Sequence, residues 1–142
     1  MPSLTSTKTC EGLLRSNSMS AAPQWLCEQV LNNVSGLLLL DCRPCNEFAL
    51  SHVPGAVNVA VPSLMLRRLK KGGPVNFANM IASEEGKRKF AKRDLMDKIV
   101  LYDSAADTLT NTALELIVQR LLAEGLNNVF FLKGKNYIFM VL

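Results

Sequence analysis

The residues best suited to chemistry are two thiols that lie close together in the sequence. Cys42 and Cys45 form a single Cys-x-x-Cys directly after Asp41, which ends an apolar run. A redox pair of this kind belongs on a strand-to-helix turn, and this pair is predicted to lie on one. Pro44, between the two thiols, instead favours a half-buried thiol beside a loop. Redox chemistry and a structural role are therefore both open on the residues alone.

The sequence contains fewer of the residues that other catalytic mechanisms require. A cysteine phosphatase of the Cys-(x5)-Arg type needs an arginine six places after its cysteine. The residues six places after the four cysteines are Ser16, Asn33, Phe48 and Ser51. A zinc site needs four ligands, and His52 is the single histidine. No nucleophile is identifiable beside His52, so we expect a packed structural histidine, no metal and no cofactor.

Short apolar strands alternate with helical patterns along most of the chain. Leu37–Leu40 is a continuous apolar run, typical of a strand buried on both faces of a parallel sheet. Further strands are predicted at Ala56–Val61, Lys98–Tyr102 and Asn128–Leu132. Helices are predicted from Pro23 to a stop at Gly36, over Asn46–Ser51, from Pro62 through Leu69, from an N-cap at Ser83 through Lys92, and over Thr108–Glu124. The alternation predicts an α/β fold with a central, mostly parallel sheet flanked by helices.

Ligands of such sheets bind at the carboxyl ends of the strands. Here those ends are Asp41–Pro44, Asp103–Ala106 and Lys133–Gly134. Any reaction centre is expected there first.

The composition is that of one globular domain. The chain has 142 residues, of which 49% are apolar and 20% charged. Residues 1–22 are rich in Ser and Thr and are interpreted as a mobile leader. We find no secretory signal, and no apolar run is long enough to cross a bilayer. The four cysteines, Cys10, Cys27, Cys42 and Cys45, have no disulfide-framework spacing and are expected to be reduced.

Positive charge is concentrated between Arg67 and Arg93. This stretch has nine basic and two acidic side chains, so it carries +7 while the rest of the +4 chain carries −3. Such a region favours an acidic partner: nucleic acid, anionic lipid or an acidic protein groove. Only Phe77 and Phe90 supply aromatic side chains nearby, so nonspecific binding to nucleic acid or lipid ranks last.

Within this region, residues 64–71 read Leu-Met-Leu-Arg-Arg-Leu-Lys-Lys. A solvated amphipathic helix explains most such runs. Three details favour a docking site instead. Arg67 and Arg68 offer planar donors for bidentate contacts with carboxylates. The leucines and Met65 supply more apolar surface than one helical stripe needs, and Pro62 and Gly72-Gly73-Pro74 frame the segment as a discrete unit.

Several motifs, in order, resemble a known family. Residues 39–44, Leu-Leu-Asp-Cys-Arg-Pro, are followed by Glu47-Phe48 and by residues 51–59, Ser-His-Val-Pro-Gly-Ala-Val-Asn-Val. This resembles the rhodanese-like pattern of a strand, Asp-x-Arg, Glu-Phe/Tyr and Gly-His-Ile-x-Gly-Ala, with Ser51 where many relatives have glycine. Asp-Cys-Arg-Pro and residues 61–72 look like the N-terminal domain of dual-specificity MAP kinase phosphatases, most like the cytoplasmic, ERK-directed subgroup. Residues 100–103 and 131–134 also fit.

The resemblance implies a rhodanese-like domain over residues 23–135 that docks a MAP kinase. Arg67 and Arg68 would meet an acidic patch of an ERK-type kinase, with Lys70 and Lys71 adding long-range attraction. Val59 and Val61, or Leu64 and Leu66, would fill the apolar part of the kinase groove. The structural loop is expected to use Asp41, Arg43, His52 and Gly55. The resemblance also implies a cytoplasmic monomer that binds neither nucleic acid nor membrane.

The resemblance implies no catalysis in this chain. The active-loop cysteine of a rhodanese would follow the strand ending at Tyr102, where residues 103–107 read Asp-Ser-Ala-Ala-Asp. The phosphatase domain of the family, with its His-Cys-(x5)-Arg loop, is absent, and residues 136–142 form a divergent apolar tail. The rival hypothesis is a single-domain sulfurtransferase or thiol oxidoreductase using Cys42 or Cys45.

Overall fold

The computed structural model describes residues 19–32, 35–103 and 113–132. In these ranges the strands are β1 (Met19–Ala21), β2 (Leu37–Asp41), β3 (Val57–Asn58), β4 (Lys98–Tyr102) and β5 (Val129–Leu132). The α-helices are α1 (Pro23–Leu31), α2 (Cys45–Leu50), α3 (Ser63–Lys70), α4 (Glu84–Ala91) and α5 (Ala113–Ala123). Two 3-10 turns, Phe77–Met80 and Arg93–Leu95, flank α4. Among these helices, none is long and apolar enough to cross a membrane.

The five strands form one sheet in the order β1-β5-β4-β2-β3. Every pair of neighbours is parallel, with Leu38 opposite Ile99 and Val100 opposite Phe130. Because both faces of such a sheet are covered by helices, its central strands are apolar on both faces, as in β2 and β4. The predicted α/β fold with a parallel sheet is confirmed.

Alternate residues of β2, β4 and β5 enter two separate hydrophobic layers. Leu38 and Leu40 of β2 pack with the helices α3, α4 and α5 on one face, where Ile117 and Leu121 of α5 are fully buried. On the other face, Leu39 packs with β4, β5 and the helix α1. There Trp25 of α1 contacts Phe130, with the ring centroids 6.0 Å apart. The sheet is thus held between two apolar layers, and the loops at its edges are free to carry polar groups.

Two strands differ from the sequence-based expectation. Met19–Ala21 pairs with β5 as an edge strand, although the sequence predicts a leader as far as residue 22. Three residues are too few to display an alternating pattern, so this strand has no signal of its own. The strand predicted at Ala56–Val61 is reduced to β3, because the chain turns towards α3 soon after Asn58.

Some predicted features lie outside the described residues. These are most of the leader, the loop after Asp103, the first part of the helix predicted at Thr108–Glu124, and the tail at 136–142.

A tight turn at Gly36 sets the start of β2 beside β4. Its carbonyl oxygen accepts hydrogen bonds from the backbone N–H groups of Asp97, at 2.8 Å, and Lys98, at 3.1 Å. Gly36 has φ +77°, and a Cβ atom added there would lie 2.4 Å from Oδ2 of Asp97. Glycine is therefore favoured by the backbone conformation, and a Cβ atom would in addition require the Asp97 side chain to shift.

Candidate docking site

The helix α3 presents the basic segment at the surface. It starts directly after Pro62, whose fixed φ suits the entry to a helix, and it ends where Gly72 adopts φ +76°. Leu69 is its one buried residue and fixes the helix to the core. The four basic side chains, Arg67, Arg68, Lys70 and Lys71, are all exposed. The segment is therefore a firmly attached helix with its charges in solvent.

Apolar residues beside these charges divide into exposed and buried ones. Leu64 is 60% exposed, and Leu66 and Val61 are half-buried. Val59, in contrast, is 0% exposed within the core. The expectation that Val59 meets a partner is therefore wrong for this conformation, because the side chain already packs under the sheet edge. Leu64, Met65 and Leu66 are the apolar residues of α3 that keep surface exposed to solvent.

A shallow recess joins the exposed leucine to the charges. Its lining consists of Leu64, Arg67, Arg68, Lys71, Gly73 and Pro74. No acidic side chain contributes to this lining, so the electrostatic potential in the recess is positive. An acidic chain with an apolar residue beside its carboxylates is complementary to such a surface.

The turn after α3 is held by a residue from a distant helix. Nη2 of Arg120, in α5, donates a hydrogen bond to the carbonyl oxygen of Gly73. The backbone N–H of Gly73 donates in turn to the carbonyl oxygen of Arg68, at 3.0 Å. Arg120 therefore orients the turn at the end of α3, and nothing in the local sequence of α3 points to Arg120.

The loop after β2 is tied by a buried ion pair. Nη2 of Arg43 lies 2.9 Å from Oδ2 of Asp41, and its Nε lies 3.1 Å from Oδ1. The side chains are 7% and 0% exposed, so the pair is shielded from solvent. Arg43 also donates to the carbonyl oxygen of Ser51. Asn58 completes the loop by donating to the carbonyl oxygens of Asp41, at 3.0 Å, and Arg43, at 2.9 Å.

His52 and Gly55 shape the next turn. The His52 ring is exposed and stacks on Phe48 with the ring centroids 3.7 Å apart. Its Nδ1 lies 2.7 Å from the carbonyl oxygen of Phe48, so this nitrogen carries the proton and donates. Gly55 adopts φ +85°, which favours glycine. Both residues stand beside the loop that Arg43 and Asp41 hold.

The two thiols occupy contrasting environments. Cys42 is 7% exposed, and burial, followed by the charges of Asp103 and Asp41, raises the pKa of its thiol well above the ordinary value. A nucleophilic cysteine needs the thiolate form, which this environment disfavours. Cys45 is exposed at the start of α2, and both cysteines are free thiols. In the described ranges, no three His, Cys, Asp or Glu side chains come together as a group able to hold a metal ion.

Comparisons with known proteins agree with this architecture. A family model described as the rhodanese-like domain matches residues 23–135. A solved structure from Rhodopseudomonas palustris, described as a protein of unknown function and possible tyrosine phosphatase, aligns with a TM-score of 0.51 and 13% identity. It covers 89% of this chain and 79% of that chain, a similarity of fold alone.

Curated relatives are more similar in sequence. Human dual specificity protein phosphatase 6 is 39% identical over 123 residues, which is 82% of this chain and 32% of that protein. Human dual specificity protein phosphatase 7 is 36% identical over 118 residues, covering 78% and 28%. Dual specificity protein phosphatase Mpk3 of Drosophila melanogaster is 35% identical over 85 residues, covering 59% and 20%. The chain thus spans about a third of the length of the first two relatives, in their N-terminal region.

Proposed function

The chain belongs to the rhodanese-like domain family, and from that premise we propose that it is a non-catalytic domain that docks a MAP kinase through α3. Its relatives are named dual specificity protein phosphatases, so the domain would serve dephosphorylation of the kinase by recruiting it. The proposal includes a cytoplasmic location and a preference for an ERK-type kinase, both implied by the resemblance to the cytoplasmic, ERK-directed subgroup.

One observation supports docking above all. Arg67 and Arg68 stand adjacent and exposed on a helix fixed by Leu69, in a recess whose lining contains no carboxylate. Guanidinium groups bind carboxylates in a bidentate manner, so two neighbouring arginines can recognise an acidic patch with defined geometry. Leu64 would add an apolar contact beside them. Charge steers the encounter, and the apolar contact lengthens the lifetime of the complex.

The thiol environments support docking over sulfur transfer. A sulfurtransferase built on Cys42 would have to ionise a thiol that burial and two carboxylates hold in the neutral form. Cys45 is exposed, and it alone of the pair could serve as a nucleophile. Cyanide-dependent sulfur transfer that disappears in Cys45→Ser would contradict the proposal that the domain is non-catalytic.

The experiment is a titration of purified ERK-type kinase with the domain at low and moderate salt. We compare the wild type with an Arg67→Ala/Arg68→Ala variant and with an Arg88→Ala/Lys92→Ala control. The control removes the same charge from one exposed position in α4 and one just after it. We expect saturable binding that weakens with salt, a Kd raised by about tenfold or more in the first variant, and a change within about twofold in the control.

A second comparison separates the roles within the segment. Arg67→Ala should weaken binding more than Lys71→Ala, because Lys71 offers a point charge without a bidentate fork. No binding by the wild type, or equal binding by all variants, would overturn the docking proposal.

A further inference from the structure

A second basic recess lies next to the docking helix, between α4 and α5. Its walls include Phe77, Lys87, Phe90, Arg93, Arg120 and Glu124. Its volume is about 410 Å³, similar to the recess of about 440 Å³ beside Leu64. The residues come from three separate parts of the chain, so the recess exists only in the folded domain.

The charges of this second recess are unbalanced. Three cationic side chains line it with one carboxylate, and that carboxylate is already engaged. Nε of Arg93 lies 2.8 Å from Oε1 of Glu124, and its Nη2 lies 3.1 Å from Oε2. Lys87 contacts Glu84 at 3.6 Å, but both side chains are well exposed, where such pairs contribute little. Lys87 and Arg120 therefore supply the net positive charge of the recess.

The walls of this recess are held in place before any partner arrives. Phe77 and Phe90 meet edge to face with centroids 6.4 Å apart. The guanidinium carbon of Arg93 lies 4.3 Å from the centre of the Phe90 ring, and its Nη1 donates to the carbonyl oxygen of Phe90 at 3.0 Å. Arg120 is fixed by its bond to Gly73. A charged group entering the recess would meet donors that need little rearrangement.

The two recesses are continuous along the chain. Gly73 and Pro74 line the recess beside α3, and the next residue, Val75, lines the recess between α4 and α5. Arg120 belongs to the second recess and bonds to Gly73 in the first. A partner segment that crosses Gly73–Val75 would therefore pass from one basic recess directly into the other.

We propose that the acidic partner of α3 places a second carboxylate-bearing stretch in the recess between α4 and α5, where Lys87 and Arg120 bind it. This inference rests on the proposed docking function and extends it. The partner surface would then be a long acidic strip with at least two separated carboxylate groups, one for Arg67 and Arg68 and one for Lys87 and Arg120.

The test compares two charge reversals, both made with the intact chain and purified ERK-type kinase. Lys87→Glu changes a residue of the recess, and Lys92→Glu makes the same change of net charge at an exposed residue just after α4 that does not line it. We expect Lys87→Glu to raise Kd by about fivefold or more and Lys92→Glu to raise it by about twofold or less. Thermal melts of both variants check that the fold is retained.

A variant that is expected to bind the kinase more tightly provides an independent test. Glu124→Gln keeps the shape of the side chain but removes the carboxylate that neutralises Arg93, so the recess becomes more positive. We expect Glu124→Gln to lower Kd by about threefold, an effect that damage to the fold would not produce.

The outcomes separate this inference from the docking proposal. If the wild type binds and Arg67→Ala/Arg68→Ala does not, while Lys87→Glu and Lys92→Glu behave alike and Glu124→Gln has no effect, the second contact is overturned and docking through α3 stands. If the wild type does not bind the kinase at all, both are overturned.

Discussion

At the scale of single residues, Arg43 connects several parts of the chain. Its guanidinium group bonds to the buried carboxylate of Asp41 and to the carbonyl oxygen of Ser51, beyond α2. It also lies 5.9 Å from the centre of the Tyr102 ring, at the end of β4. A charge removed from water needs such partners, because an isolated one would be costly. These contacts link the loop after β2 to the segment after α2 and to the end of β4.

Removing the side chain of Arg43 should strongly destabilise the folded state. In Arg43→Ala, the carboxylate of Asp41 stays buried without its partner, and we expect the free energy of unfolding to fall by about 3–5 kcal/mol. Urea unfolding followed by circular dichroism measures the change. The matched control is Arg88→Ala, which removes an exposed arginine of α4 and should change the same quantity by less than about 0.5 kcal/mol. Similar losses in the two variants would contradict a structural role for the pair.

Cys42 gives a prediction about alkaline pH. Burial raises the pKa of its thiol in the folded state, while in the unfolded chain the pKa of this thiol is expected to be about 8.5. Above that pH the unfolded state releases the proton and the folded state keeps it, so the free energy of unfolding falls as pH rises. Cys42→Ala should show a smaller fall between about pH 8.5 and 9.5.

The pH window also separates this thiol from other groups. Burial raises the pKa of Tyr102 as well, but its pKa of about 10 in the unfolded chain places its effect at higher pH. Cys45→Ala, which removes an exposed cysteine close to Cys42 in the sequence, is the matched control. Identical curves for the wild type and Cys42→Ala would count against the buried position of this thiol.

At the scale of elements, the turns decide how the strands meet. Gly36 and Gly125 both have positive φ, at +77° and +95°, but only Gly36 has a neighbour where a Cβ would stand. That neighbour is the side chain of Asp97, the residue just before β4. The turn that precedes β2 therefore packs closely against the start of β4.

The two glycines form a matched pair for mutation. Gly125→Ala should lower the free energy of unfolding by about 1–2 kcal/mol, because alanine is strained at a positive φ. Gly36→Ala should lower it by about 1 kcal/mol more, since the new methyl group also displaces Asp97. Thermal melts give the two values, and Gly36→Ala/Asp97→Ala should recover part of the difference. Equal costs for the two glycines would show that the contact with Asp97 is unimportant.

The elements also show how far the sequence leads. The strands β2 and β4 were predictable because a short, continuous apolar run bounded by polar residues is typical of a strand buried on both faces of a sheet. Ser83 was predictable as the N-cap of α4, and its Oγ accepts a hydrogen bond from the N–H of Gly86 at 2.9 Å. β1 was not predictable, since its pairing with β5 depends on residues far along the chain.

The candidate site was predictable only in part. Arg67 and Arg68 stand out because they are adjacent in the sequence, and helical spacing places them at the surface. Val59 was expected, from the family resemblance, to fill the apolar part of the kinase groove, yet it is buried in the core, and that burial is decided by the sheet. Arg120 reaches the turn after α3 and lines a recess with Lys87 through folding alone, so no local pattern marks either residue.

At the scale of the whole molecule, the distribution of charge matters more than its total. Residues 67–93 carry +7 in a chain of net +4, and their helices line two adjoining recesses. A field concentrated in this way steers an acidic partner towards one part of the surface.

This distribution predicts a particular kinetic pattern. The association rate with purified ERK-type kinase should fall by about tenfold or more between low and moderate salt, while the dissociation rate changes little. Arg67→Ala/Arg68→Ala should also speed dissociation, because it removes contacts, whereas Arg88→Ala/Lys92→Ala should act on association alone. Surface plasmon resonance measures both rates. A salt effect confined to dissociation would contradict steering by this surface.

The position of β1 in the sheet has a consequence for how the protein is made. Met19 pairs with Phe130, more than a hundred residues later in the chain, whereas β2, β3 and β4 can pair once Tyr102 has been synthesised. Because synthesis adds roughly 5–20 residues per second, about 5–20 seconds pass between the synthesis of β1 and that of β5. Until β5 arrives, the edge of β4 and the apolar face of α1 are uncovered. The nascent chain therefore still exposes apolar surface to chaperones in the interval between the synthesis of β4 and that of β5.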